Sequence, residues 1–168
     1  VGPNCIGVIA PEAGLNATFA HLNPNAGHLA FVAQSGAIVL SVLDWAEPRG
    51  IGFSHLVSLG DMCDVDFGDM LDYLANDPNV HGILLFIEAV THARKFMSAA
   101  RAAARIKPVI VVKAGRTVAG AAAAASHTGA LAGHDAVYEA AFRRAGMLRV
   151  YQTSELFDAV EALSTGQR

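Results

Sequence analysis

Charge is scarce in this sequence. Charged residues make up 16% of its 168 residues, and the net charge is −3 with a pI near 6.1. That balance gives no electrostatic case for nucleic acid or for an anionic membrane surface. No apolar run reaches the roughly 18 residues that a membrane span requires. No basic-then-apolar signal segment opens the chain. Only two cysteines occur, Cys5 and Cys63. They form neither a disulfide framework nor a metal-ligand spacing, and they fit a reducing, cytoplasmic setting. His21, His28, His55, His81, His92 and His134 show no metal spacing either, so no metal site is expected. Apolar side chains, by contrast, are plentiful at 53%. That share supports a sizeable core and excludes disorder, and the length fits one domain of ordinary size. The chain opens at Val1 with residues that look mid-domain, which reads as a piece cut from a longer protein.

Residues 1–28 read as a loop-rich lead-in or linker, punctuated by Gly2-Pro3-Asn4 and Asn23-Pro24-Asn25. From residue 29 a regular alternation begins. Short apolar or alternating runs predict strands at 29–33, 53–59, 80–87, 108–112 and 148–150. Apolar residues at helical spacing predict helices at 36–46, 66–74, 93–104, 136–145 and 153–163. Asp66 is placed as an N-cap, Thr153 as another, and Gly146 stands where a C-terminal cap belongs. Five buried strands alternating with five helices predict an α/β fold with a flavodoxin-like, doubly wound, parallel five-stranded sheet.

Ligands of such sheets sit beyond the C-terminal strand ends, which turns the sequence into a short set of candidates. Gln34-Ser35-Gly36-Ala37 follows the first strand and opens a helix, whose free N–H groups and dipole suit an anion. Gly60-Asp61-Met62-Cys63-Asp64-Val65-Asp66 follows the second, and its three acids read as helix capping and loop solvation ahead of a cation site. Glu88 directly follows the third strand. Lys113-Ala114-Gly115-Arg116 follows the fourth and leads to Ser126-His127-Thr128-Gly129. A histidine titrates near neutral pH and can attack a phosphoryl group. A carboxylate on one ring nitrogen frees the other to attack, and a helix N-terminus stabilises phosphoryl oxygens. Glu88, the basic pair, Ser35-Gly36 and His127 therefore form a coherent phosphoryl-transfer set. The order Ser35, Glu88, His127 also matches the nucleophile, acid and base of an α/β-hydrolase, although the elbow has Ala33 and Ala37 where glycines belong.

Several of these pieces carry a resemblance. Gly2-Pro3-Asn4-Cys5-Ile6-Gly7, Ala33-Gln34-Ser35-Gly36-Ala37, Ser58-Leu59-Gly60-Asp61, Lys113-Ala114-Gly115-Arg116-Thr117 and Ser126-His127-Thr128-Gly129 resemble the NDP-forming acyl-CoA synthetase superfamily. That superfamily includes succinyl-CoA synthetase and ADP-forming acetyl-CoA synthetase. The resemblance implies that residues 1–28 are the tail of a CoA-binding domain and its linker, and that 29–168 form a succinyl-CoA synthetase-like flavodoxin domain. It makes His127 the phosphorylated histidine and Glu88 the carboxylate that orients it, with Ser35, Gly36 and Gly129 around the phosphate. CoA, ATP or ADP and Mg are then bound mainly by CoA-binding and ATP-grasp domains absent from this chain, and the assembly is expected to be a homo-oligomer.

A further set of segments resembles the synthetase-like part of proteins fused to a Gcn5-type acetyltransferase. They include Asp44-Trp45-Ala46, Gly50-Ile51-Gly52-Phe53-Ser54 and the run from Arg144 to Val150. That resemblance implies an alternative role as an acyl-CoA-sensing module of a lysine acetyltransferase. The leading expectation is a phosphohistidine-carrying domain that relays phosphate between an acyl phosphate and a nucleotide.

Overall fold

A computed structural model of the chain describes residues 1–116 and 134–165. Seven strands form one sheet: β1 (Gly7–Ala10), β2 (Leu15–Thr18), β3 (Ala26–Ala33), β4 (Phe53–Ser58), β5 (Gly82–Ile87), β6 (Val109–Lys113) and β7 (Leu148–Val150). Their spatial order is β2-β1-β4-β3-β5-β6-β7. The five strands from β3 onward are parallel, as the sequence predicts. The lead-in differs from its expectation as loop, because it supplies β1 and β2, which pair antiparallel and extend the sheet past β4. These strands have four residues each, and β2 is almost wholly exposed. β1 is held by its ladder with β4 and by Ile9 in the core, β2 only by its ladder with β1, and no long buried stripe marks them in the sequence.

Among the described residues five α-helices cover the sheet: α1 (Gly36–Ala46), α2 (Phe67–Asn76), α3 (Ala93–Ile106), α4 (Asp135–Ala145) and α5 (Thr153–Thr165). Each buries one apolar stripe. In α1 that stripe is Val39, Val42, Leu43 and Ala46; in α2 it is Phe67, Met70, Leu71 and Leu74. Two cores result, one on each face. Helices α1 and α5 pack one face around Phe31, Phe53, Leu56 and Leu84. Helices α2, α3 and α4 pack the other around Val32, Val57, Leu85 and Val111.

The caps predicted at Asp66 and Gly146 are present, whereas Thr153 is the first residue of α5 and Gln152 precedes it, with its N–H donating to Glu155 at 3.1 Å. Asp66 accepts from the N–H groups of Gly68 at 2.7 Å and Asp69 at 3.3 Å, and Asp69 returns a bond to the Asp66 N–H. This reciprocal box satisfies donors that the helix leaves open. Gly146 adopts φ +83° at the end of α4, and the N–H groups of Gly146 and Met147 close onto Arg143 and Phe142.

The parallel strands follow the order second, first, third, fourth, fifth. That is the flavodoxin-like order, whose switch point lies between the first and third strands, here β3 and β5. The strand ends are level. Ser58, Ala33, Phe86, Val112 and Val150 form one row across the five strands. The residues just beyond this row, from Gln34 to Lys113, therefore share one edge.

Candidate functional site

A cleft of about 260 Å³ opens at the switch point. Its floor and one wall are Gln34, Ser35, Gly36 and Ala37 at the start of α1, with Gly60 and Asp61 after β4 and Glu88 after β5. The opposite wall is Asn4, Cys5 and Ile6, with Phe19 at the mouth. The structure thus brings Ser35, Gly36 and Glu88 together, as the strand-end rule predicts.

Each wall has a physical cause. The first N–H groups of α1 have no acceptor inside the helix, and the Ser35 side chain does not cap them. They remain available to an anion, with the helix dipole behind them. A side chain at Gly36 would place its Cβ 2.4 Å from Ile6 Cγ2, so glycine lets residues 4–6 close against the helix start. Gly60 has φ +61°, and a Cβ there would lie 2.1 Å from the Pro3 carbonyl oxygen. The N-terminal segment is held in place by backbone bonds. Gly2 N–H donates to Leu59 at 3.0 Å, Asp61 N–H to Pro3 at 2.9 Å and Cys63 N–H to Gly2 at 3.1 Å. The Ile6 N–H adds a bond to the Ser58 hydroxyl at 3.3 Å.

Glu88 is buried, at 8% exposure. The alternation along β5 sets its direction. Ile83, Leu85 and Ile87 join one core, Leu84 and Phe86 the other, and Glu88 continues the second set toward α1. The basic pair does not line this cleft. Lys113 continues the set of Val109 and Val111, on the opposite face. Its ammonium lies 4.7 Å from the Tyr138 ring centre and donates to the Ala114 carbonyl. Burial holds that ammonium below the usual lysine range; Asp135 opposes the shift, Arg149 adds to it, and Glu88 opposes it more weakly. Arg116 lies over Tyr151, 5.1 Å from the ring centre.

The loop acids separate as well. Asp61 lines the cleft, Asp64 is exposed, and Asp66 is spent on its cap and on His92 and Lys95. Among the described residues, no group of three or more His, Cys, Asp or Glu side chains could hold a metal ion. Ser35 has φ −74° and ψ 122°, an ordinary extended conformation. A nucleophile elbow needs a sharp, strained turn, so the hydrolase reading loses its geometric basis. His127 and Gly129 lie outside the described residues.

Residues 26–163 match the family described as succinyl-CoA ligase like flavodoxin domain. The chain belongs to that family. It is 49% identical over 158 residues to the acetate–CoA ligase [ADP-forming] I of Archaeoglobus fulgidus, covering 94% of this chain and 23% of that protein. It is 46% identical to the acetate–CoA ligase [ADP-forming] I subunit alpha of Pyrococcus furiosus, covering 98% of this chain and 36% of the subunit. A solved structure described as the Ca. Korarchaeum cryptofilum dinucleotide forming acetyl-coenzyme A synthetase 1 in complex with phosphate and ADP superposes with a TM-score of 0.92. The sequences are 41% identical there, over 98% of this chain and 36% of that one. The chain therefore spans about a quarter to about a third of the length of these relatives.

In this succinyl-CoA ligase like flavodoxin domain, sequence reasoning missed the wall made by Asn4, Cys5 and Ile6. It also missed Gln34 as more than a turn residue. Gln34 is 7% exposed, and a polar side chain directly after an apolar strand was the available signal.

Proposed function

We propose that this chain is the phosphohistidine-carrying part of an ADP-forming acyl-CoA synthetase. One observation carries the reading. A buried carboxylate, Glu88, and the open start of α1 meet at the switch point of the sheet, in one cleft. The named relatives support it, since their descriptions are ADP-forming CoA ligases and a synthetase. The acyl-CoA-sensing alternative has no counterpart among those relatives.

In the proposed step, His127 Nε2 attacks the terminal phosphorus of ATP. An N–P bond forms, the P–O bond to the leaving ADP breaks, and ADP departs with that electron pair. The proton on Nδ1 stays on the ring and is shared with Glu88, whose charge offsets the imidazolium. The N–H groups at Ser35-Gly36-Ala37 receive the phosphoryl oxygens, with Gly129 beside them. In a second transfer an acyl carboxylate oxygen attacks the phosphorus: an O–P bond forms to give the acyl phosphate, and the N–P bond breaks with its electron pair left on Nε2; run backward, the two transfers carry phosphate from an acyl phosphate to ADP. CoA and the nucleotide are held mainly by CoA-binding and ATP-grasp domains outside this chain.

The test uses the intact protein and γ-labelled ATP. Acid-labile, base-stable label is expected on the wild type and none on His127→Ala. Glu88→Gln is expected to label about 100-fold more slowly or worse. Equal labelling of the wild type and His127→Ala refutes the reading.

A further inference from the structure

Gln34 stands one residue beyond the level row of strand ends, at the switch point itself. Its Oε1 accepts from the Glu88 N–H at 2.8 Å and from the Ala89 N–H at 2.7 Å. Its backbone carbonyl accepts from the Gly60 N–H at 3.1 Å and from the Ser58 hydroxyl at 3.4 Å. Its own N–H donates to the Phe86 carbonyl at 3.4 Å. One buried residue therefore ties the ends of β3, β4 and β5 together.

The chemistry of the side-chain bonds is specific. Glu88 and Ala89 follow the last residue of β5, so the sheet ladder no longer pairs their N–H groups. Two successive N–H groups aimed at one point make an anion-binding concavity. The Gln34 amide oxygen fills it. Being neutral, it satisfies both donors without placing a second charge beside Glu88. An apolar side chain of the same length would leave two buried donors unsatisfied, which is costly, and open to a stray anion. A carboxylate would make the same two bonds but repel Glu88. Among the described residues, the other charged or titratable groups around Glu88 are Lys113 on the neighbouring strand and Asp61 and Cys5 in the lining of the cleft.

We propose that Gln34 is the positioning residue for Glu88: its amide oxygen fixes the backbone from which Glu88 projects and denies that pair of N–H groups to the phosphoryl group, leaving the start of α1 as the phosphate site. The assignment rests on the reading of Glu88 as the carboxylate that orients His127.

The experiment measures label uptake from γ-labelled ATP by the intact protein across pH, in Gln34→Met, Gln34→Glu and Glu88→Gln. Gln34→Met keeps the length and loses the acceptor; its rate is expected to fall about 10-fold to 100-fold at saturating ATP, with little change in the ATP concentration for half-saturation. Gln34→Glu keeps both bonds. The acid limb of its profile is expected to move upward, because a second carboxylate favours protonation of Glu88 and of the histidine it orients, and its rate at high pH is expected to fall less than that of Gln34→Met. A folded Gln34→Met with the wild-type rate overturns the assignment. Should Gln34→Met fail to fold, Gln34→Glu decides: an acid limb moved upward supports the assignment, and an unmoved one overturns it. Wild-type labelling by Glu88→Gln overturns the parent reading and this one together. Slow labelling by Glu88→Gln with wild-type behaviour in both Gln34 variants overturns the Gln34 assignment alone.

Discussion

Alanine at Gly60 should destabilise the chain far more than alanine at Gly50. Both glycines sit in the left-handed region, with φ +61° and +64°. An L residue there costs about 1–2 kcal/mol, partly offset by the reduced freedom of the unfolded chain. That balance is common to the two sites and cancels in their difference. The surroundings are not common. Nothing lies within 4 Å of a Cβ at Gly50, whereas at Gly60 it would meet the Pro3 oxygen at 2.1 Å and the Asn4 oxygen at 2.6 Å. Those are backbone atoms, so residues 3–4 must retreat. Their retreat breaks the bonds between Gly2 and Leu59, Asp61 and Pro3, and Cys63 and Gly2. At a net of about 0.5–1.5 kcal/mol each, the three bonds give an expected difference of about 2–4 kcal/mol. Equilibrium urea denaturation measures both variants, with unchanged slopes as the check on two-state behaviour. Equal losses at Gly60 and Gly50 would refute the claim that the N-terminal segment is anchored there.

Asp66→Ala should cost about 1–2 kcal/mol in thermal or urea unfolding, because it uncaps α2 and removes the carboxylate shared by His92 and Lys95. Asp66→Asn keeps a capping oxygen and should lose the smaller part of that. Burial holds the His55 imidazole below its ordinary range, with Asp77 and Glu12 opposing. The unfolded chain then binds the proton more readily, so stability present above the ordinary imidazole pKa falls as pH drops through that range. A His55→Gln variant should show a flatter profile of melting temperature between neutral and weakly acidic pH.

The parallel half of the fold was legible because its signals are local. Continuous apolar runs such as Ile83 to Ile87 mark strands buried on both faces, and Asp66 and Gly146 mark helix ends by chemistry that the structure repeats. The strand-end rule then placed Ser35, Gly36 and Glu88 on one edge. The strands β1 and β2 were not legible, because their pairing is long-range and Leu15-Asn16-Ala17-Thr18 buries almost nothing. The start of β3 at Ala26 was hidden for the same reason; Ala26 and Leu29 both pair with Phe53 of β4, across a register shift. Lys113 shares the sheet edge with Glu88 but not its face, for a reason of parity. Side chains alternate along a strand, and in the register Ile87 opposite Lys113, the lysine falls on the face of Ile87 while Glu88 falls on the other. Gln34 escaped notice because the partners of its side chain are backbone N–H groups more than fifty residues away.

The wall formed by residues 4–6 bears on where this domain can be divided. The family match begins at residue 26, downstream of that wall and of β1 and β2. A cut at that boundary would remove the neighbour of β4 on its outer side and bare a largely apolar strand edge, the kind that recruits other chains. It would also strip Asn4, Cys5, Ile6 and Phe19 from the lining of the cleft. The unit that must stay together is therefore longer than the span of the family match: residues 1–25 have to travel with the sheet they complete.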